Sequence, residues 1–215
     1  MLVHERMTGH PLTIGPDTPV SNALDFMRQN QVRRLPVLDE RGRLIGIVAE
    51  KDLLYASPSP VTSLSIYEIH YLLSKLKVRD VMTREIITIC EDCPLEEAAR
   101  IMVDHRIGGL PVVRDGVLVG IITETDLFKV FLEMLGAREQ GLRVSLSVRD
   151  EPGTLARLAG EVTQMGGDII ALGTFYGRDR TEGRITMKVR GVDKEALLQS
   201  LESSTAQVLD IRDGA

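Results

Sequence analysis

The clearest hydrophobic pattern in the chain lies between Val117 and Phe128. Val117 to Ile122 is apolar throughout, with Gly120 inside it, which predicts a short buried strand. Thr123 ends the run, and Glu124 to Phe128 is typical of the first turn of a helix. A threonine oxygen can cap such a helix, and Asp126 follows three residues later, so one complete interpretation is a capping pair with a purely structural role.

The same pattern occurs twice, which indicates an internal duplication. Met7-Thr8 recurs as Met82-Thr83, 75 residues later. The segment from Gly46 to Leu53 recurs from Gly120 to Leu127 at an offset of 74, because the turn between two strands has lost one residue. Hairpin turns tolerate such a change. Each copy is predicted to fold as strand, helix, strand, turn, strand, helix.

The remaining elements of the two copies follow from their apolar spacing. Short strands are predicted at 12–14 and 86–89. Pro19 and Pro94 suit the first position of the helices that follow, because that position needs no N–H donor. Between the copies, a linker helix within 56–77 is predicted by a stripe at helical spacing: Ile66, Ile69, Leu72, Leu73 and Leu76. This helix could dock on its own module or on another subunit.

The pattern changes after residue 140. Apolar residues alternate with polar ones from Leu142 to Val148, as in a half-buried antiparallel strand. A helix at 154–165, strands at 168–176 and 184–190, a helix at 193–203 and a strand at 206–212 are predicted to follow. The order is βαββαβ, which forms a two-layer α+β sandwich.

Composition and charge narrow the function classes. The chain is 43% apolar and only 4% aromatic, which describes an ordinary globular protein with aliphatic cores. Its apolar runs fall far short of the ~18 residues that a membrane helix needs. The net charge of −5 argues against nonspecific nucleic-acid binding, which depends on clustered Lys and Arg. The first residues lack the pattern of a secretion signal, so we expect a cytoplasmic protein without nucleic-acid or membrane partners.

Sequence motifs for catalysis are missing. The four histidines are scattered, and none lies near a plausible nucleophile–base pair. There is no phosphate-binding or dinucleotide-binding glycine loop and no His-Glu-x-x-His. We therefore predict a protein that is not an enzyme, with no catalytic residue, catalytic cofactor or metal.

Cys90-Glu91-Asp92-Cys93 allows two interpretations. The spacing before a helix could lower a thiol pKa and support redox chemistry or half of a metal site. Alternatively, both cysteines are small turn residues in the places that Gly15 and Thr18 take in the first copy. The two flanking acids raise thiol pKa and favour the second interpretation, and a zinc ion would need two more ligands.

The duplication can also form a site. Two strand–helix junctions of the Gly-x-x-Thr-x-x-Asp kind, related by pseudo-symmetry, can face one cleft. A carboxylate there can accept both hydrogen bonds of a vicinal diol, and a helix N-terminus favours an anion, which suits ribose next to phosphate. Arg33-Arg34 can bring positive charge, and their counterparts Gly108-Gly109 leave room for close backbone approach.

These features resemble known families. Residues 1–135 resemble a tandem pair of CBS motifs, the Bateman module, through Met-Thr, Leu-Pro-Val and Gly-Ile-Ile-Thr-x-x-Asp-Leu. Residues 141–213, with Asp-Glu-Pro-Gly-Thr-Leu after the first strand, resemble an ACT domain. Their order and length resemble the acetoin-utilisation accessory protein family. The resemblance implies an α+β fold with a pseudo-two-fold CBS pair and a βαββαβ ferredoxin-like ACT domain: CBS motif 1 at 1–55, linker helix at 56–77, CBS motif 2 at 78–135, ACT domain at 141–213.

The CBS resemblance implies an adenosine ligand, AMP, ADP or ATP, and less often S-adenosylmethionine. In that family one motif holds ribose and phosphate through Ser/Thr-x-x-Asp, and the first-strand segment of the other packs the adenine. The first and preferred site would use Thr8, Pro11, Thr13, Val32, Arg33, Arg34, Ile121, Thr123 and Asp126. The second, weaker because Ala49 replaces the hydroxyl residue, would use Ile47, Lys51, Asp52, Thr83, Ile86, Thr88, Ile107 and Gly108. The alternative is a pair of structural repeats that bind no ligand.

The ACT resemblance implies a small amino acid bound at the loop after the first strand, by Asp150, Pro152, Gly153 and Thr154. A dimerisation domain without effector is the alternative. Together these resemblances imply a regulatory homodimer in which ligand changes how the ACT domains or a partner enzyme dock. The competing expectation is a ligand-free adaptor for a partner enzyme. Proteins related to inosine monophosphate dehydrogenase share the CBS motifs, but this chain has neither the barrel nor the catalytic cysteine loop of that enzyme.

Overall fold

The computed structural model describes residues 1–56, 75–176, 182–203 and 206–214. The chain divides into two compact units, Met1–Leu127 and Phe128–Ala215. Most of the predicted linker helix, with stripe positions Ile66, Ile69, Leu72 and Leu73, lies outside the described residues.

The first unit contains two similar sets of short elements, after a 3-10 turn at Val3–Glu5. The strands are β1 Thr8–Gly9, β2 Arg34–Leu38, β3 Leu44–Ala49, β4 Ile89–Cys90, β5 Gly109–Arg114 and β6 Val117–Thr123. The helices are α1 Val20–Gln29, α2 Glu50–Tyr55, α3 Val78–Val81, α4 Leu95–His105 and α5 Glu124–Met134, the last of which runs past the boundary between the units.

The strands form two sheets, with orders β1-β6-β5-β4 and β2-β3. The predicted strands at 12–14 and 86–89 are shorter than expected. Only Ile14 bridges to Val37 in the first copy, and only Ile89–Cys90 is a strand in the second. A turn follows each of them directly, with Thr18 N donating to Gly15 O and Cys93 N to Cys90 O, which fixes where the paired segment ends.

The helix starts also differ by one residue from the prediction. Pro19 and Pro94 take the N-cap positions, with φ −60° and ψ near 144°, and the helices begin at Val20 and Leu95. The extended ψ places each proline before the first turn, where its missing N–H is equally harmless. The inward faces of α1, β2, β3 and α2 form one buried cluster: Val20, Ala23, Leu24, Met27, Leu35, Val37, Val48 and Leu53.

The second unit has the predicted order βαββαβ. Its elements are β7 Gly141–Arg149, α6 Thr154–Gln164, β8 Asp168–Tyr176, β9 Glu182–Arg190, α7 Lys194–Ser203 and β10 Gln207–Gly214. The antiparallel sheet has the order β10-β7-β9-β8, which leaves β8 and β10 at its edges. The alternating residues of β7 point into a core that also contains Leu158, Val162, Leu197 and Leu201, so the α+β fold class is confirmed.

Candidate functional site

The junction between β6 and α5 is held by the Asp126 carboxylate. Its Oδ2 accepts a hydrogen bond from the Thr123 backbone N–H at 3.0 Å and another from the Thr123 hydroxyl at 2.7 Å. Both side chains are half-buried. Thr123 and Asp126, the pair predicted from the sequence, are therefore joined, with Asp126 as the acceptor of both bonds, and these bonds fix the carboxylate at the start of the helix.

The equivalent junction between β3 and α2 lacks one of these bonds. Asp52 Oδ2 accepts from the Ala49 backbone N–H at 3.0 Å, but Ala49 has no hydroxyl to offer. The carboxylate is thus placed in the same way with one donor fewer.

Each junction is completed by the Met-Thr segment of the other copy. Thr8 of the first copy pairs with Ile121 of β6. Thr83 of the second copy bridges to Ile47 of β3, with Thr83 N donating to Ile47 O at 2.9 Å and Ile47 N to Thr83 O at 3.0 Å. The two segments cross over symmetrically, so each predicted site combines residues of both copies.

The methionines of these segments lie over glycines of the opposite copy. A Cβ added at Gly120 would be 2.3 Å from Met7 Sδ, and one at Gly46 would be 2.4 Å from Met82 Sδ. Each glycine makes room for a methionine, which explains why both residue types recur in the duplicated pattern. Because these contacts join residues far apart in sequence, the pattern alone did not reveal them.

A cavity of about 150 Å³ lies at the Asp52 junction. Ile86 and Thr88, both predicted for the second site, do not line it. The other six residues predicted for that site do: Ile47, Lys51, Asp52, Thr83, Ile107 and Gly108. Arg34, Ala49, Glu85, Ile87, Gly109 and Pro111 complete the lining. The structure thus brings most of this predicted set to one place, and adds Glu85 and Ile87, which alternate with Ile86 along the chain.

Arg34, which the sequence analysis placed in the first site, lines this second cavity. A Cβ at Gly108 would lie 2.1 Å from Arg34 Nη2 and 2.6 Å from Glu124 Oε2, so the guanidinium and that carboxylate both approach Gly108. The absence of side chains at Gly108-Gly109 lets an arginine of the first copy reach across to the second. The sequence signal for this contact was that Arg33-Arg34 in the first copy corresponds to Gly108-Gly109 in the second.

The other residues predicted for the first site occupy three places. Thr8 is joined to Ile121 by strand pairing, and Thr123 to Asp126 by hydrogen bonds. Pro11 and Thr13 lie on the segment between β1 and Ile14, before the bridge to Val37. Val32 N donates to Met27 O at 3.0 Å, and the exposed Arg33 accepts a hydrogen bond at its backbone oxygen from Glu50 N, at 2.9 Å.

In the second unit, a cavity of about 660 Å³ lies beside the start of α6. Three of the four predicted amino-acid-binding residues line it, Asp150, Gly153 and Thr154, and Pro152 does not. Gly153 has φ +88°, which turns the chain into the helix, and the buried Thr154 donates through Oγ1 to Arg149 O at 3.3 Å. The sequence analysis missed two arginines and two aromatic residues in the lining, Arg149, Arg184, Phe175 and Tyr176.

Cys90 and Cys93 form a disulfide, with their Cα atoms 5.3 Å apart. They sit in a turn, as one interpretation of the sequence required, but they are also covalently paired. Among the described residues, no group of three or more His, Cys, Asp or Glu side chains could hold a metal ion. Within the same part of the chain, no helix is both long and apolar enough to cross a membrane.

Comparison with known proteins identifies both parts of the chain. The CBS domain profile matches residues 3–59 and 78–133, and the TTHA0829-like ACT domain profile matches residues 140–212. A crystal structure of an acetoin utilization protein (AcuB) from Vibrio cholerae is similar over 65% of this chain and 96% of that one, at 32% identity and a TM-score of 0.53.

Two further solved structures contain adenosine ligands. The structure of CBSX2 in complex with AMP is 32% identical, with a TM-score of 0.50, over 61% of this chain and 96% of that one. The CBS domain pair of protein MJ0100, in complex with 5′-methylthioadenosine and S-adenosyl-L-methionine, is 29% identical, with a TM-score of 0.51, over 61% of this chain and 95% of that one.

Proposed function

Since the chain belongs to the CBS domain family and ends in a TTHA0829-like ACT domain, we propose that it is a non-catalytic regulatory protein that senses an adenosine ligand through its CBS pair. The observation that carries the proposal is the crossed arrangement of the two junctions. Each one combines an aspartate at the start of a helix with a threonine from the other copy. A ligand that touches both copies can shift the equilibrium between their arrangements.

The aspartates support recognition of ribose. Asp52 and Asp126 are fixed by backbone N–H donors at their own helix starts, so each carboxylate is oriented before a ligand arrives. Two ribose hydroxyls can both donate to one carboxylate, and such charge-assisted bonds are the stronger kind. The AMP and S-adenosyl-L-methionine complexes of the related CBS structures support a ligand of this class.

The two junctions differ in what they add to the aspartate. The Asp126 junction has the Thr123 hydroxyl, which supports it as the preferred ribose site. The Asp52 junction has the cavity and two cations, Arg34 and Lys51, which support phosphate binding there. We propose that AMP, ADP or ATP binds at one or both junctions, and that S-adenosylmethionine competes less well where the two cations lie.

Calorimetric titration of the full chain with AMP, ADP, ATP, S-adenosylmethionine and 5′-methylthioadenosine tests this proposal. Asp126→Ala and Asp52→Ala form a matched pair, because each removes the same carboxylate from an equivalent junction. We expect at least one ligand to bind, and one of the variants to weaken it by roughly tenfold or more, as loss of a charge-assisted bond does. If none of the five ligands binds the wild-type protein, the chain is an adaptor whose aspartates only cap helices.

We further propose that the ACT domain pairs two chains into a homodimer. Support comes from the edge strand β8, which exposes Leu172, Phe175 and Tyr176, the last at 85%. An exposed apolar edge strand favours pairing with a second strand. Light scattering during size-exclusion chromatography is expected to give twice the chain mass for the wild-type protein and the chain mass for Phe175→Glu. A monomeric wild type would contradict the dimer.

The cavity beside α6 supports the second role of the ACT domain, recognition of a small amino acid. The N-terminus of α6 and Arg149 can receive a carboxylate, and Asp150 and Glu151 can receive an ammonium group. A thermal-shift panel of the twenty amino acids tests this role. Stabilisation by one of them that Asp150→Ala abolishes is expected, and a flat panel would leave dimerisation as the only role of the domain.

A further inference from the structure

The Cys90–Cys93 disulfide lies in the turn that joins β4 to α4. The turn is closed by Cys93 N donating to Cys90 O at 3.3 Å, and Cys90 is solvent-exposed. Glu91, between the two cysteines, is paired with Arg114 of β5, which holds the pKa of the Glu91 carboxyl below its usual range. This turn is therefore fixed both by the disulfide and by an ion pair to the neighbouring strand.

The N-terminal segment, residues 1–9, is bound directly to this turn. Val3 N donates to Cys93 O at 3.0 Å and His4 N to Glu91 O at 2.9 Å. Leu95 N, just after the turn, donates to Met1 O at 3.1 Å, and His4 Nδ1 lies 3.2 Å from Asp92 Oδ1. Two of the three backbone bonds use carbonyl oxygens within the disulfide loop, so their positions depend on its shape.

The same segment continues into the cross-copy contacts described above. Met7 N donates to Val3 O at 2.8 Å, Met7 lies over Gly120, and Thr8 pairs with Ile121. Val3 is fully buried, so the segment is packed and not merely laid on the surface. The turn with the disulfide is thus one end of a continuous chain of contacts that ends at the β6 strand.

We propose that Cys90–Cys93 is a reversible redox site, and that its oxidation state controls how firmly the N-terminal segment is held on the second copy. A dithiol reductant transfers two electrons and two protons to the bond and becomes a disulfide itself, leaving two thiols in this chain. Reduction removes the four-residue covalent loop that orders the carbonyl oxygens of Glu91 and Cys93. The segment then opens more often from its contacts with the turn.

The position of the pair favours this role over a permanent crosslink. A bond between cysteines three residues apart closes almost no chain, so it constrains the local turn far more than the whole fold. Cys90 is exposed and Cys93 half-buried, so the pair lies at the protein surface, where an incoming thiolate can approach it.

Hydrogen exchange on the full chain tests the proposal directly. In the oxidised protein, which should contain no free thiol, the amides of Val3, His4 and Leu95 are expected to be protected. After reduction by dithiothreitol, which should expose two thiols per chain, these amides should exchange on the order of tenfold faster. The amide of Val144, in the core of the other unit, serves as the internal reference and should not change.

The variant Cys90→Ser/Cys93→Ser separates the effect of losing the disulfide from any direct effect of dithiothreitol on exchange. It should show the faster exchange in both oxidising and reducing buffer. Equal exchange in oxidised and reduced wild-type protein would overturn the proposal, as would a pair that stays reduced in excess oxidised glutathione.

A second measurement connects the site to ligand binding, and this connection rests on the proposed function. Because Thr8 belongs to the segment, reduction should weaken AMP binding severalfold in the wild-type protein and leave the double-serine variant unchanged. If neither AMP nor any of the other four ligands binds either form, the proposed function fails while the exchange experiment still decides the redox site.

Discussion

At the scale of single residues, the two copies differ most clearly at Thr123 and Ala49. The aspartate that follows each is oriented by the same backbone donor, and only Thr123 adds a hydroxyl at 2.7 Å. One hydrogen bond to a charged, half-buried group is therefore a difference between the two junctions that a single substitution can test.

Thr123→Ala should destabilise the first unit by about 1.5–3 kcal/mol, because it removes a hydrogen bond to a charged group. Thr123→Ser keeps the hydroxyl and is the matched control, with a smaller loss expected. The reverse change, Ala49→Thr, gives Asp52 the same donor and should stabilise the protein. Urea unfolding measures the free energy of unfolding of all three variants. Equal midpoints for Thr123→Ala and wild type would show that the hydroxyl bond to Asp126 does not stabilise the protein.

Glu161 gives a pH-dependent prediction. Within the described residues its Oε2 is buried with no hydrogen-bond partner, and burial raises the pKa of the carboxyl above its usual value. Because the folded state holds the proton more tightly than the unfolded state, this group disfavours folding as the pH rises through its folded pKa. Glu161→Gln should therefore raise the Tm at pH 7 and have little effect near pH 4. The same Tm difference at both pH values would show that ionisation of the Glu161 carboxyl is not the cause of the effect.

At the scale of elements, the strand β6 is shaped to receive a side chain from the other copy. Gly120→Ala places a Cβ only 2.3 Å from Met7 Sδ, so the methionine or the strand must shift. We expect a loss of roughly 1–3 kcal/mol, as overpacking usually costs. Gly9→Ala is the control and should be close to neutral, because Gly9 is also in a paired strand but no atom of the described residues lies within 4 Å of its added Cβ. Chemical unfolding followed by circular dichroism distinguishes them.

The helix α6 contains an avoidable weakness. Gly160 lies inside it, and an added Cβ would meet no atom of the described part of the chain within 4 Å. Gly160→Ala should stabilise the helix by about 1 kcal/mol, since glycine is a poor helix former. Gly153→Ala is expected to do the opposite, because φ +88° is unfavourable for a residue with a Cβ. The thermal transition of the second unit is the measurement.

Sequence reasoning succeeded for these elements where the signal was local. The alternation in β7, the repeated strand–helix junctions and the turn glycines all encode their structure within a few residues. Contacts between residues that are distant in sequence are not encoded in this way. Arg34, predicted for the first site, lines the cavity at Asp52, where Gly108 and Gly109 leave room for its side chain. The disulfide was also missed, because C-x-x-C spacing alone does not distinguish paired from free thiols.

At the scale of the whole molecule, the two units have separate cores. The first unit contains a buried cluster between Val20 and Met82 and further buried residues in its second copy, such as Leu110 and Ile122, and the second unit contains a cluster between Leu142 and Ala206. Separate cores allow the units to unfold in separate transitions.

We therefore expect calorimetric unfolding to resolve two transitions. A CBS ligand that binds only the folded first unit should raise the transition of that unit and leave the other in place. Gly160→Ala should move only the other transition, which assigns the two peaks. A single transition that both perturbations shift equally would show that the units unfold as one.

Because each copy pairs with the Met-Thr segment of the other, neither copy is structurally complete without its partner. A protein with one copy would leave the Gly-Ile edge of its strand without a partner. Two such proteins could satisfy each other only by swapping segments, an association that dilution would reverse. Duplication within one chain makes the same exchange intramolecular, so the effective concentration of each partner no longer depends on how much protein the cell contains.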